Sequence, residues 1–209
     1  MSHFAIRIIQ EDHAALAAML RSLLAMLKQG PETEPERFFD VLRAMLFYID
    51  EFPERRHHPK ESDLLFPKLR GRTPLSRELL DRLDDDHARG ERKIRNVEHA
   101  LLAFEMLGES RRQAFEQAIE RYVDFYLEHM GLEEREILPL AEKVLTDDDW
   151  AELDEAFRAN RDPLTGQPPD AQYQSLFTRI VNALPAPIGL GPAGPEPKSA
   201  FSNFFGKQL

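Results

Sequence analysis

The chain has 209 residues, of which 42% are hydrophobic, and a formal net charge of −10. This length supports one sizeable folded domain with an appendage, and the excess of acidic residues disfavours nucleic acid as a partner. The chain contains no cysteine, which excludes disulfides and any site that needs a thiolate. No apolar stretch approaches the roughly 20 residues of a membrane span, so we expect a cytoplasmic protein without a membrane partner.

Two helical patterns occupy the first part of the chain. Residues 4–29 carry apolar side chains at helical spacing, and a Gly-Pro pair follows and ends this helix. A second helix begins near Pro35 and runs towards His57. Pro53 and Pro59 fall within this second pattern, so we expect the helix to be kinked or broken there.

Two longer helical patterns come next. Thr73 and Pro74 resemble the N-cap and first turn of a long third helix. A fourth pattern covers residues 110–145 and carries His129 and Glu133 on its apolar side. The polar residues on that apolar side are the first indication of a buried site.

The remainder of the chain contains shorter patterns. Thr146 and the three aspartates after it predict the start of a short fifth helix. We expect a loop over residues 160–169, a short sixth helix over 170–184, and a disordered tail rich in proline and glycine over 185–209. Near the end of the tail, three aromatic residues could dock on a partner or a neighbouring subunit: Phe201, Phe204 and Phe205.

Short connections between the four long helices favour antiparallel packing of consecutive helices. The sequence therefore predicts an all-α protein with three parts. Residues 1–145 form an up-down-up-down four-helix bundle, residues 146–184 form a helical extension, and residues 185–209 form the tail.

Histidines and glutamates are distributed over the four long helices as the ligands of one shared site would be. Glu61 follows His57 at an interval of four residues, which places both side chains on one side of a helix, and the same interval recurs in the fourth helix. A histidine also lies in the middle of the first and of the third helix, and antiparallel packing can bring all four positions to one level of the core. The predicted metal ligands are His13, His57, Glu61, His87, His129 and Glu133.

Other residues near these positions leave alternatives open. His57 and His58 compete for one role: the glutamate at the fourth following position favours His57, whereas Pro59 disturbs the helix and could reverse the assignment. Glu91 follows the third-helix histidine by four residues, and it is an extra ligand, a hydrogen-bond acceptor for an imidazole, or an exposed acid.

Three further residues are expected to lie outside the site. Glu134 should lie at the surface, although it neighbours a predicted ligand. His99 lies about 120° around the third helix from the predicted ligand there, and His3 is close to the start of the sequence, so we expect both to be bystanders.

Imidazole and carboxylate ligands without thiolate suit iron, manganese or zinc. Six ligands exceed the needs of one tetrahedral zinc ion, so two metal ions fit better than one. If Glu61 and Glu133 both bridge the ions, each ion receives about four protein donors and keeps positions open for a small ligand. We expect redox or diatomic-ligand chemistry at two iron ions, with manganese or zinc as alternatives. A competing hypothesis is a helical interaction module whose ligands serve structure alone.

The order of these motifs resembles the hemerythrin-like (HHE cation-binding) family. The resemblance rests on His13, on the H-x-x-x-E strings that begin at His57 and His129, and on His87, and it covers roughly residues 5–145. It implies a four-helix bundle that holds a non-haem di-iron centre.

Within that family, the ligand pattern differs from that of the oxygen carriers. They place a second histidine where this chain has Glu91, and they use H-x-x-x-x-D on the last helix. Four histidines with two H-x-x-x-E glutamates look more like the iron-sulfur cluster repair di-iron proteins, which are associated with nitrosative and oxidative stress. The resemblance therefore implies a protein that senses, stores or reacts with oxygen, nitric oxide or peroxide, in iron homeostasis or a stress response.

Overall fold

The computed structural model of the chain describes residues 3–31, 34–159, 162–165 and 171–184. All regular secondary structure in these ranges is helical, with no β-strand among them. The prediction of an all-α protein is confirmed. The predicted tail over 185–209 and parts of the predicted loop over 160–169 lie outside the described residues.

Six helices organise the described chain, and we number them in chain order. Helix α1 is Phe4–Gln29. Helix α2 is a continuous run over 35–72, with α-helical stretches Pro35–Ile49, His58–Lys60 and Phe66–Arg72 and π-helical stretches Asp50–His57 and Glu61–Leu65. Helix α3 is Arg77–Leu107, and it is followed by the 3₁₀ turn Gly108–Arg111. Helix α4 is a continuous run over 112–144, with α-helical stretches Arg112–Leu132 and Leu138–Val144 on either side of the π-helical stretch Glu133–Ile137. Helix α5 is Asp147–Arg158, and α6 is Gln174–Ala183.

Wide π-helical turns lie where helices α2 and α4 carry the H-x-x-x-E strings. In a π-helical turn the backbone bonds skip one more residue than in an α-helix, and such turns are frequent at functional sites. Pro53 lies inside the first of these turns, and Pro59 lies in the short α-helical stretch that follows it. Of the predicted kink or break in the second helix, the break is absent, because the altered hydrogen-bond pattern accommodates both prolines within an uninterrupted run, and the helix is instead distorted locally into π-helical turns.

The two predicted helix starts have different outcomes. Helix α5 begins after Thr146, whose hydroxyl accepts from the backbone N–H of Asp149 while the Asp149 carboxylate accepts from the Thr146 N–H, so that prediction is confirmed. The prediction for Thr73 is wrong: its hydroxyl accepts from the N–H of Leu75 at 3.2 Å and closes a turn ahead of the helix. Helix α3 begins three residues later than Pro74, at Arg77.

The four long helices contact one another in a ring: α1 with α2, α2 with α3, α3 with α4, and α4 with α1. Helix α5 packs on α1, and α6 packs on α2. Buried apolar side chains form two separate clusters, one around Leu20 and Phe115 and the other around Ile9 and Trp150. Each long helix contributes to both clusters, and its buried polar residues lie between them along the sequence. The apolar core is therefore divided by one polar layer.

None of the described helices is long and apolar enough to cross a membrane.

Candidate metal centre

The polar layer brings together all six predicted ligand residues. Helix α1 supplies one histidine, α2 supplies a histidine and a glutamate, α3 supplies one histidine, and α4 supplies a histidine and a glutamate. Each residue is at most 8% exposed. The six residues are His13, His57, Glu61, His87, His129 and Glu133. Their convergence satisfies the geometric requirement of the predicted site, and ligation itself stays a prediction.

The two glutamates each face two groups of histidines. Glu61 directs Oε1 to Nε2 of His57 at 3.2 Å and Oε2 to Nε2 of His87 at 3.5 Å. Glu133 directs Oε2 to Nε2 of His13 at 3.3 Å and Oε1 to Nε2 of His129 at 3.4 Å. Each carboxylate therefore has one oxygen on each side of the site, which is the arrangement of a group that bridges two cations.

A fifth histidine, His58, joins the polar layer, and sequence reasoning had treated it as a competitor of His57. His58 can share a cation with Glu61, His87 and His129, since one donor atom of each lies within 4.8 Å of the others. Consecutive residues diverge by about 100° around a helix. Because α2 packs between α1 and α3, His57 points to the α1 side and His58 to the α3 side. The two histidines are therefore not alternatives.

These contacts define two groups. The two-histidine set consists of His13 and His57, which can share a cation with Glu61. The three-histidine set consists of His58, His87 and His129. Nε2 of His87 lies 3.0 Å from Nε2 of His129. Two nitrogens about 2.1 Å from a common ion are separated by roughly 3 Å when they subtend a right angle at it, so this spacing suits shared ligation.

Buried atoms without hydrogen-bond partners test whether a cation fits. Within the described residues, Nε2 of His13, Nε2 of His57 and all four carboxylate oxygens of Glu61 and Glu133 make no hydrogen bond. A buried polar group left unsatisfied costs about 1–3 kcal/mol, so six such atoms in one layer would be a severe defect. Metal ions coordinated by these atoms would remove the defect, and the donor set therefore fits a metal centre.

In the two-histidine set, the ring nitrogens that face away from the centre contact carboxylates. Nδ1 of His57 lies 2.9 Å from Oδ2 of the buried Asp12. Nδ1 of His13 lies 3.1 Å from Oε1 of Glu134, a residue expected at the surface. The Glu134 side chain is 43% exposed and still reaches the site, so that expectation is only half right. A carboxylate that accepts from one ring nitrogen orients the imidazole and presents the other nitrogen to a metal.

The three-histidine set is oriented by different partners. Nδ1 of His58 lies 3.2 Å from Oε2 of Glu54, and Nδ1 of His87 lies 2.8 Å from Oγ of Ser62. His58 and His87 also stack on each other, with their ring centroids 4.4 Å apart. Both rings are therefore held from the side away from the centre.

Glu54 is the centre of a buried hydrogen-bond cluster that the sequence analysis missed. It accepts hydrogen bonds from the hydroxyls of Tyr122 at 2.8 Å and Tyr126 at 2.5 Å. Burial raises the pKa of Glu54 to about 7, although both phenols favour its charged form. Tyr126 fits only because residue 90 is glycine: a Cβ there would lie 1.8 Å from the Tyr126 oxygen. The spacing of four residues between Glu54 and His58 is a local signal for their contact, whereas the two phenols of the cluster lie on α4 and left no trace near Glu54 in the sequence.

The pKa values of the buried imidazoles are shifted in opposite directions. Burial lowers the pKa of His129, but the charge of Glu133 and the carboxylate of Asp86, 3.9 Å from Nδ1, outweigh burial and raise this pKa to about 10. The pKa values of His58 and His87 lie well below the usual range, mainly because burial penalises a charged ring. Without a cation, the carboxylates therefore hold a proton on His129. A metal ion would displace that proton and supply the positive charge.

The remaining candidates lie outside the layer. The Glu91 side chain is 51% exposed and accepts from Arg95 at 2.9 Å, which favours the exposed-acid interpretation. His99 is exposed, as expected of a bystander. His3 stacks on Trp150, with ring centroids 4.1 Å apart, at the α5 side of the molecule.

A small cavity adjoins the two-histidine set. Its volume is about 20 Å³, which is enough for one water molecule. His13 and His57 form one part of its wall, and Leu16, Phe52 and Asp162 form other parts. Burial raises the pKa of Asp162 to about 6, although its hydrogen bond from Tyr48 acts in the opposite direction. The layer thus has space for a very small ligand on one side.

Comparison with known proteins agrees with this geometry. No curated protein matches the chain. The family model of the hemerythrin HHE cation binding domain matches residues 5–141, and this range contains every residue of both histidine sets together with Glu61 and Glu133. Because the match covers more than half of the chain, the protein belongs to the hemerythrin HHE cation-binding domain family.

Proposed function

We propose that the protein binds two iron ions in a non-haem di-iron centre and that it senses, stores or reacts with oxygen, nitric oxide or peroxide. The observation that carries the proposal is the orientation of Glu61 and Glu133, each with one oxygen towards the two-histidine set and the other towards the three-histidine set. A single ion would need only one side of this arrangement.

The donor atoms favour iron on chemical grounds. The two-histidine set and the two bridging carboxylates offer four donors to one ion, and the three-histidine set with the same carboxylates offers five to the other. Nitrogen and oxygen donors without thiolate suit octahedral iron, which takes six ligands. Manganese and zinc are the alternatives, since the same donors bind them.

The cavity supports a small ligand. The ion with fewer protein donors lies beside it, where Leu16 and Phe52 limit the available volume. A volume of about 20 Å³ holds one water-sized molecule, which favours a very small ligand at this position. Two ferrous ions would supply the two electrons that convert oxygen to peroxide or peroxide to water.

We also propose that the four long helices form an up-down-up-down bundle over residues 1–145, with α5 and α6 as an extension. The two apolar clusters support alternating directions. Along the sequence, α1 passes from the cluster around Ile9 to the cluster around Leu20, and α2 passes from the second cluster back to the first. Helices α3 and α4 repeat this order.

Metal analysis of protein purified with iron under anaerobic conditions tests the proposed function. We expect about two iron ions per chain, and we expect the optical spectrum to change when oxygen, nitric oxide or peroxide is added separately. A His13→Ala variant, which leaves its ion one nitrogen and two carboxylate oxygens, should lose about one of the two ions, whereas a His99→Ala variant, at an exposed position on α3, should keep both. Protein that retains no stoichiometric metal and is unaffected by chelator would favour the structural interaction module.

A further inference from the structure

An apolar groove lies on the surface where α2, α3 and α6 meet. Its volume is about 470 Å³, within the range of clefts that hold ligands or several side chains. Phe47 of α2, Leu102 of α3 and Leu176 of α6 line it. Phe47 is 46% exposed and Leu102 is 54% exposed, and Met106, one turn beyond Leu102, is 74% exposed. Such a concentration of exposed apolar residues on one face marks a binding surface.

Charged residues border the groove. Glu98 and Glu105 belong to α3, and Arg43 and Arg179 approach from α2 and α6. Arg43 is already paired with Glu105, and Arg179 is already paired with Asp40 at 3.0 Å. Of these four bordering residues, Glu98 has no ion pair within 4 Å among the described residues. The border therefore offers a carboxylate to a basic ligand.

The chain itself contains a segment with matching chemistry, residues 201–209, which lie outside the described residues. Phe201, Phe204 and Phe205 are spaced by three and four positions, so a helical turn would place the three rings on one side. Residues 201–209 contain one lysine, Lys207, and no acidic residue, in a chain whose net charge is −10. The segment thus combines aromatic anchors with positive charge, opposite to the acidic remainder of the protein.

The connection to this segment starts beside the groove. Arg179 lines the groove, and the described chain ends five residues later at Leu184, about 8 Å further along the helix axis. The 16 intervening residues, 185–200, can span up to about 55 Å, so the segment can reach any part of the groove. Tethering of this kind gives an effective concentration in the millimolar range and favours the chain's own segment over an untethered competitor.

We propose that residues 201–209 bind in this groove of their own chain, with the phenylalanine rings against Phe47 and Leu102 and a lysine near Glu98. Bound in this way, the segment covers the exposed apolar side chains of Phe47 and Leu102. The proposal is independent of the metal centre.

Thiol labelling of the full-length chain tests the proposal, because the sequence contains no native cysteine. A Leu102→Cys variant places one thiol in the groove, and a Leu75→Cys variant places one at a position that is 81% exposed and does not line the groove. We compare maleimide labelling rates with and without the added substitutions Phe201→Ser, Phe204→Ser and Phe205→Ser. If the segment occupies the groove about 80–90% of the time, removal of the rings accelerates labelling at position 102 about five- to ten-fold.

Labelling at position 75 should not change, and neither should labelling at position 102 in a matched tail variant, Asn203→Ala with Gln208→Ala. A synthetic peptide of residues 201–209 should slow labelling again in the triple-serine variant. Equal rates at position 102 with and without the three rings would overturn the proposal. Protection that disappears on dilution, together with a change from dimer to monomer in solution, would also overturn it and would assign the groove to a second copy of the chain.

Discussion

The two histidine sets share the same pair of carboxylates but have different surroundings. Two members of the three-histidine set, His87 and His58, stack between Phe66 and Tyr126. The four rings are nearly parallel, and the successive centroids, in the order Phe66, His87, His58 and Tyr126, are 5.6, 4.4 and 5.4 Å apart. The two-histidine set has no such stack among the described residues, and both of its histidines line the cavity, whereas only His58 of the three-histidine set does. The stacked rings thus hold the donors of the three-histidine set in place, whereas the two-histidine set has space beside it in which a small ligand can exchange.

The partners of the ring nitrogens show the same contrast. His13 is oriented by Glu134, which is 43% exposed, whereas His58 is oriented by Glu54, which is buried and bonded to two phenols. A buried network with several partners holds an imidazole more firmly than an exposed carboxylate does. If two ions bind as proposed, the difference predicts that they differ in how tightly they are bound.

Removal of Glu61 should have the largest effect, because this residue faces both sets. In a Glu61→Ala variant both proposed ions lose a donor, and one of the two carboxylates that face both sets disappears. We expect metal content to fall below about one ion per chain. The measurement is metal analysis after gel filtration of iron-loaded protein. The control is Glu91→Ala, which removes an exposed glutamate one turn after His87 and should leave two ions bound.

Two variants, each of which lacks one histidine from a different set, test whether the two sets bind separate ions. His13→Ala leaves one nitrogen and two carboxylate oxygens for its ion, whereas His58→Ala leaves two nitrogens and two oxygens, the same number that the intact two-histidine set offers. We therefore expect about one ion per chain in His13→Ala and about two in His58→Ala. Equal metal content in the two variants would show that the sets are not distinct sites.

Much of this arrangement could be predicted from the sequence, for identifiable reasons. The interval between His57 and Glu61 places both on one side of a helix whatever the rest of the fold does, and helical periodicity located the long helices. Thr146 identified the start of α5 because its capping partner, Asp149, is only three residues away. Local patterns of this kind depend on backbone geometry alone.

Other features could not be predicted, because they depend on contacts between distant residues. Four residues after His58 comes Ser62 instead of a glutamate, so His58 lacked the signal that identified His57. Its partner Glu54 lies four residues before it, but the hydrogen bonds that Glu54 accepts from Tyr122 and Tyr126 depend on the packing of α4. The prediction that Thr73 caps the third helix was wrong for the opposite reason: its hydroxyl does accept a local hydrogen bond, but it does so in a turn that precedes the helix.

Gly90 allows a test of the packing behind the three-histidine set. In Gly90→Ala the new Cβ would lie 1.8 Å from the hydroxyl oxygen of Tyr126 and 2.9 Å from a carboxylate oxygen of Glu54. Tyr126 must then move, and we expect a loss of about 1–3 kcal/mol in the free energy of unfolding, measured with urea. The matched control is Gly71→Ala, where nothing lies within 4 Å of the added Cβ. That variant should gain up to about 1 kcal/mol, because alanine favours helix.

The cavity side can be tested through Asp162, whose burial raises its pKa to about 6. In the unfolded chain an aspartate titrates near pH 3.9. Between about pH 4 and pH 6 the unfolded chain therefore loses this proton while the folded chain keeps it, and stability falls as pH rises. The interval of about two pH units corresponds to roughly 3 kcal/mol, which is fully expressed above pH 6.

Asp162→Asn removes this titration and keeps an oxygen that can accept from Tyr48. Relative to the original chain, we expect the variant to gain about 2 kcal/mol between pH 4 and pH 7, after allowance for a weaker bond from the phenol. Urea unfolding of chelator-treated protein at both pH values measures this change. The titration of Glu54, with its pKa of about 7, is common to both proteins and cancels in the difference. A difference that does not vary with pH would mean that Asp162 is solvated, and the cavity would then be open to bulk water.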